Sequence, residues 1–87
     1  MQLKIFTIRD SKGEMYNTPF FRRTIGDAER TFHELVNDDK TSVSKYPDDF
    51  DLYLIGDFDD QTGITKGLDT PQHIVKAINV RRPTVTQ

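Results

Sequence analysis

Apolar and polar positions alternate almost from the first residue, with Leu3 and Ile5 set against Phe6 and Ile8. A period of two among β-branched and aromatic side chains predicts a strand over residues 3–8. Asp10-Ser11-Lys12-Gly13 then makes a turn, with glycine expected at the position that needs a positive φ. Residues 14–23 read as a second extended segment. Pro19 cannot donate to a ladder, so this segment is either an edge strand or is split in two. From Thr24 the period lengthens: Ala28, Phe32, Leu35 and Val36 fall on one stripe, and Glu29, Arg30, His33 and Glu34 on the other side. A helix over residues 25–37 follows, with the Thr24 hydroxyl as its N-cap and Asp27 placed to answer it.

Residues 41–49 are expected to be an acidic, proline-punctuated loop. The period of two returns in residues 51–58, with Leu52, Leu54 and Phe58 on one face and Tyr53 and Ile55 on the other. A strand apolar on both faces belongs in the centre of a sheet or beneath a partner chain. Asp59-Asp60-Gln61-Thr62-Gly63 is a hairpin turn into a short strand, residues 64–68. Thr70-Pro71 opens a last segment, residues 72–80. It is either a strand, with Ile74 and Ile78 opposing Val75 and Ala77, or a short helix with proline in its first turn. The reading taken is a short helix or turn followed by a strand. Residues 81–87 read as a flexible basic tail. The expected fold is α+β: a single domain over residues 1–80, with about four antiparallel strands in ββαββ order and one helix packed on one face. One helix leaves the second face open, and a two-fold homodimer is expected to cover it.

At 87 residues the core is thin, and 34% hydrophobic against 30% charged residues is a lean composition, but nine aromatics supply the material for a core. There is no cysteine, so disulfides, thiolate metal sites and thiol nucleophiles are excluded. No apolar run is long enough for a transmembrane helix, and Met1-Gln2-Leu3-Lys4 enters a strand pattern rather than a signal-peptide apolar region. The expectation is a soluble protein, without a membrane, that stays where it is made.

The net charge of −2 does not mark a nucleic-acid binder, but its distribution is uneven. Residues 1–34 carry six basic and five acidic side chains, residues 35–60 two and eight, and residues 61–87 four and one. Segment charges are therefore +1, −6 and +3, with the acid concentrated in the middle.

Few residues suggest a chemistry. The turn from Asp57 to Gly63 has carboxylates at alternate positions, but glycine comes one place late for a calcium loop and Leu68 stands where the bidentate glutamate belongs. Aspartates capping their own turn explain it with less. His33 and His73 have no metal-ligand spacing, no serine or threonine sits in a nucleophile elbow, and Asp48-Asp49 and Asp59-Asp60 lie in loops with nothing apolar to raise a pKa. No enzyme activity, cofactor or metal is expected. What remains is an aromatic–basic constellation: Tyr16, Phe20 and Phe21 followed by Arg22 and Arg23, with Arg9 and Lys12 across the hairpin. Flat rings that stack on bases, beside cations that track phosphates, are what single-stranded nucleic acid requires. The opposing reading puts a phenylalanine in the core beside Phe32 and the arginines in solvent. Lys76, Arg81 and Arg82 divide the same way, between phosphate contacts and solubility.

Ile8-Arg9-Asp10-Ser11-Lys12, Pro19-Phe20-Phe21, Asp27-Ala28 in the helix, and Gly56-Asp57-Phe58-Asp59-Asp60 with Gly63 together resemble one family. It is the small non-structural protein of gokushovirus-like microviruses, bacteriophages with circular single-stranded DNA genomes. The resemblance runs over residues 3–68 and weakens beyond Pro71. It implies a DNA-binding protein in the cytoplasm of an infected bacterium. The role implied is in viral DNA replication, at the switch to single-stranded genome synthesis, or in delivering that genome to procapsids. It brings no mapped binding residues. The acidic centre departs from a plain DNA-coating protein, and supports an alternative: an adaptor using residues 48–60 to engage the replication initiator, the capsid or a host factor.

Overall fold

The computed structural model describes residues 1–82. Strand β1, Gln2–Asp10, is bordered on one side by two short strands, β2 (Met15–Tyr16) and β3 (Phe20–Arg22). Its other side pairs with β4 (Phe50–Asp59), which pairs in turn with β5 (Thr65–Lys76), and every pairing is antiparallel. Strand β4 is thus central, as its two apolar faces require. The second extended segment is split at Asn17-Thr18-Pro19, one of the two outcomes expected from Pro19. The element order consequently has three strands before the helix instead of the two in a ββαββ arrangement.

Helix α1, Ile25–Val36, begins where Thr24 Oγ1 accepts from the Asp27 N–H at 3.0 Å. Its stripe of Ala28, Phe32 and Val36 is fully buried against Phe6, Ile8, Leu52 and Leu54 of the sheet. Phe20 and Leu35 are half-buried at the margin of this core. Removing a ring such as Phe32 would cost about 3–5 kcal/mol, a large share of the stability of so small a domain.

Three expectations need correction. Residues 41–49 are not a plain loop: they hold a one-turn helix α2, Ser42–Lys45, capped by Thr41, and a 3₁₀ turn, Pro47–Asp49. Val43 and Pro47 are buried there and close one end of the core. The last segment also runs in the opposite order. Strand β5 continues to Lys76 and is followed by a 3₁₀ turn, Ala77–Asn79, with Ala77 in the core. Pro71 does not start a helix. It lies where residues 68–71 of β5 bulge out opposite the single residue Ile55 of β4, a place where a missing N–H loses no ladder bond. Finally, the left-handed residue of the first turn is Glu14, at φ 55°, rather than Gly13. Arg81 and Arg82 are exposed, and the rest of the expected tail lies outside the described residues.

The hairpin between β4 and β5 behaves as its aspartates predict. Gly63 takes φ 74° and donates its N–H to the Asp59 carbonyl at 2.8 Å, and Asp59 Oδ1 accepts from the Gln61 N–H at 2.9 Å. That hydrogen bond, seconded by the Thr62 N–H, holds the Asp59 carboxyl below the ordinary carboxylate range.

Candidate nucleic-acid interface

Register decides which side chains share a face. In β1, successive residues point to opposite sides, so Phe6 and Ile8 face the helix while Leu3, Ile5, Thr7 and Arg9 face away. Directly opposite Arg9 stand Tyr16 on one side and Asp51 on the other. Opposite Thr7 is Tyr53, and opposite Tyr53 is His73. Opposite Ile5 are Phe21 and Gly56, and opposite Leu3 is Phe58. The register shift that admits Ile55 as an extra residue of β4 brings Phe58 to the same side as Tyr53. Residue partners across a ladder point the same way, so all of these lie on the helix-free face.

Two aromatic groups form there. Tyr16 meets Tyr53 edge to face at a centroid distance of 5.7 Å, and Tyr53 meets His73 the same way at 5.3 Å, which makes a row across three strands. Further along, Phe21 meets Phe58 at 5.4 Å, with interplanar angle 70°. Beneath these rings Ile5 and Thr7 are buried, although they point away from the core, and the Thr7 hydroxyl donates to the Asn17 carbonyl at 2.7 Å. Of these rings Tyr16 and Phe21 are open to solvent, 46% and 42% exposed, whereas Tyr53 and Phe58 are half-buried. Cations surround them: the Arg9 guanidinium lies 5.4 Å above the Tyr16 ring, and Lys76 stands opposite Asp51 at the end of β5.

The seven residues picked out by sequence are therefore not one site. Arg9, Tyr16 and Phe21 share the open face. Phe20 faces the helix instead and stacks on Phe6 at 5.8 Å. Arg22 also faces the helix side. Its Nε donates to Thr31 Oγ1 at 3.1 Å and its Nη1 to the Phe21 carbonyl at 2.6 Å, while its guanidinium covers Phe20 at 5.2 Å. That arginine ties β3 to α1. Arg23 is exposed beyond the end of β3. Lys12 sits on the first turn, where it lines a groove of about 460 Å³ with Asp10, Ser42, Tyr46, Asp49 and Phe50.

Tyr53, Phe58, His73 and Lys76 complete the face and were not among those seven. Tyr53 carried a signal: the alternation of β4 places it on the side opposite Leu52 and Leu54. His73 carried none without the register. Phe58 carried a misleading one, since simple alternation places it with Leu52 and Leu54 whereas the bulge at Ile55 turns it to the open face. Flat, partly exposed rings spaced along strands offer stacking surfaces, and the cations at their border offer phosphate contacts. Among the described residues, no group of three His, Asp or Glu side chains is placed to hold a metal ion, and no helix is long and apolar enough to cross a membrane.

No curated protein and no solved structure matches the chain. The family described as Phage ORF5 protein matches residues 3–80, nearly the whole of this chain, which therefore belongs to that phage family.

Proposed function

We propose that the helix-free face binds single-stranded nucleic acid, in the first place the DNA of a phage during replication or packaging in its bacterial host. The observation that carries this reading is the aromatic row Tyr16–Tyr53–His73, extended by Phe21 and Phe58, on a face with Arg9 and Lys76 at its border. A duplex hides its base faces, whereas a single strand can lay them on exposed rings. Membership of a phage family is consistent with such a ligand. The microvirus resemblance and the role at the switch to single-stranded genomes belong to the same proposal.

The homodimer expected from the sequence would compete for this face. Arg9, Asp51 and Lys76 give it a charged border, which suits a polyanion, although an apolar centre with a polar rim is also how protein interfaces are built. We assign the face to the polyanion, and sedimentation with and without an oligonucleotide tests that choice. The adaptor alternative is weakened by where β4 puts its acids. Asp51 faces the open side, Asp57 and Asp59 the helix side, Asp48 and Asp49 lie at one end and Asp60 at the other. The acidic block of the sequence is thus distributed over both faces and both ends.

The test is a titration of labelled single-stranded and duplex DNA of equal length. Stacking on an aromatic ring is worth about 1–3 kcal/mol per base, so Tyr53→Ala should weaken single-strand binding roughly 5- to 150-fold. Equal affinity of the variant and the parent for the single strand would remove the face from the site.

A further inference from the structure

Beside the aromatic row, two potential phosphate ligands, His73 and Lys76, are gathered around a carboxylate. Asp51 lies on β4 between Arg9 of β1 and Lys76 of β5, its partners in register on either side. His73 Nε2 is 2.8 Å from Asp51 Oδ1, and Lys76 Nζ is 3.7 Å from Asp51 Oδ2. The Asp51 side chain is only 13% exposed, whereas His73 and Lys76 are 49% and 41% exposed. Arg9 makes no such contact and extends over Tyr16 instead. The anion is therefore held low in the face, with the groups that attend it at the surface.

A carboxylate hydrogen-bonded to an imidazole and ion-paired with an ammonium occupies the groups that a phosphodiester would use. The position relative to the rings is also suitable. Asp51 precedes Tyr53 by two residues on the same face of β4, about 7 Å along the strand. That is the reach over which one nucleotide joins its base to its backbone. We infer that His73 and Lys76 form a phosphodiester subsite, and that Asp51 is a resident anion which the phosphate displaces. The inference rests on the proposed nucleic-acid reading of this face.

Its consequence is counterintuitive for a residue in the middle of a binding face: removing the Asp51 charge strengthens binding. In the free protein Asp51 engages Lys76 and His73, and an incoming strand must take them from it. Asp51 also repels the phosphate that replaces it. With asparagine at this position the ladder keeps a polar side chain, while Lys76 is free for the strand.

The experiment is fluorescence anisotropy with a 5′-labelled oligodeoxythymidylate, over a series of salt concentrations, with folding of each variant checked by circular dichroism. Asp51→Asn should bind severalfold more tightly than the parent, with the salt slope steeper by about 0.7 for the one additional phosphate neutralised. Lys76→Ala should bind more weakly with a shallower slope, and should cancel the gain when combined with Asp51→Asn. Glu34→Gln, an equal change of charge on the exposed surface of α1, should do much less.

An Asp51→Asn protein with unchanged or weaker binding overturns the inference. So does a gain no larger than that of Glu34→Gln, which would reflect net charge alone. If the parent binds and Tyr53→Ala weakens it while Asp51→Asn does nothing, the phosphate subsite falls and the nucleic-acid reading stands. If neither the parent nor Asp51→Asn binds at low salt, both fall.

Discussion

Gly56 is the position where the packing of the sheet can be tested by a single methyl group. Strand β5 approaches β4 so closely there that a Cβ on Gly56 would fall on the Lys66 carbonyl oxygen, 3.2 Å from its carbon and 3.1 Å from Gly67 Cα. All three are backbone atoms of the paired strand, so no side chain can swing aside to make room. Relief requires moving β5, which disturbs the pairs Gly56–Gly67, Asp57–Lys66 and Phe58–Thr65 together. Overpacking of this kind costs about 1–3 kcal/mol. In a domain of this size each kcal/mol lowers the Tm by about 4–8 °C. Gly67, directly across the ladder, is the control. A Cβ there meets only the Ile55 carbonyl oxygen, at 3.9 Å. Gly67→Ala should be neutral, or stabilising by up to about 1 kcal/mol through reduced backbone entropy in the unfolded chain. Urea and thermal unfolding followed by circular dichroism would measure both. A Gly56→Ala protein as stable as the parent, or equal losses in the two variants, would refute the close approach of β4 and β5.

Two further predictions concern the turns. Glu14 holds a left-handed backbone that costs a residue with a Cβ about 1–2 kcal/mol, so Glu14→Gly should raise stability by about 0.5 kcal/mol after glycine's own entropic cost, read as a higher urea midpoint. The Asp59 carboxyl is held below its ordinary value by the Gln61 N–H, so its stabilising contribution is present above the unfolded pKa and is lost as pH falls through the folded one. Unfolding titrations from pH 6 downwards, through about pH 4, should show a smaller acid loss for Asp59→Asn than for the parent.

What could be read from the sequence was local. The α1 stripe and its Thr24 cap need only residues within one or two turns of each other, and the structure repeats them. The central place of β4 followed from having apolar side chains on both faces. The candidate interface depended on register, which local pattern does not fix when a strand is bulged. Ile55 and residues 68–71 shift the pairing, and only after that shift do Phe58 and Tyr53 come to one side. One part of the misplacement was avoidable. Phe20 and Phe21 are neighbours in a strand and must point to opposite faces, so Phe20 and Arg22 could never share a surface with Phe21. The Thr70-Pro71 pair misled in another way, because a proline at a bulge and a proline at a helix start look alike in sequence.

The central claim is that the helix-free face stacks the bases of a single strand. Its most direct test is fluorescence anisotropy of the parent and Tyr53→Ala proteins against single-stranded and duplex DNA, at about 50 and 200 mM salt, a range over which phosphate contacts weaken strongly. The account predicts preference of the parent for the single strand, affinity that falls with salt, and loss of that preference in Tyr53→Ala. Equal binding of duplex and single strand, or a Tyr53→Ala protein that binds as the parent does, would contradict it.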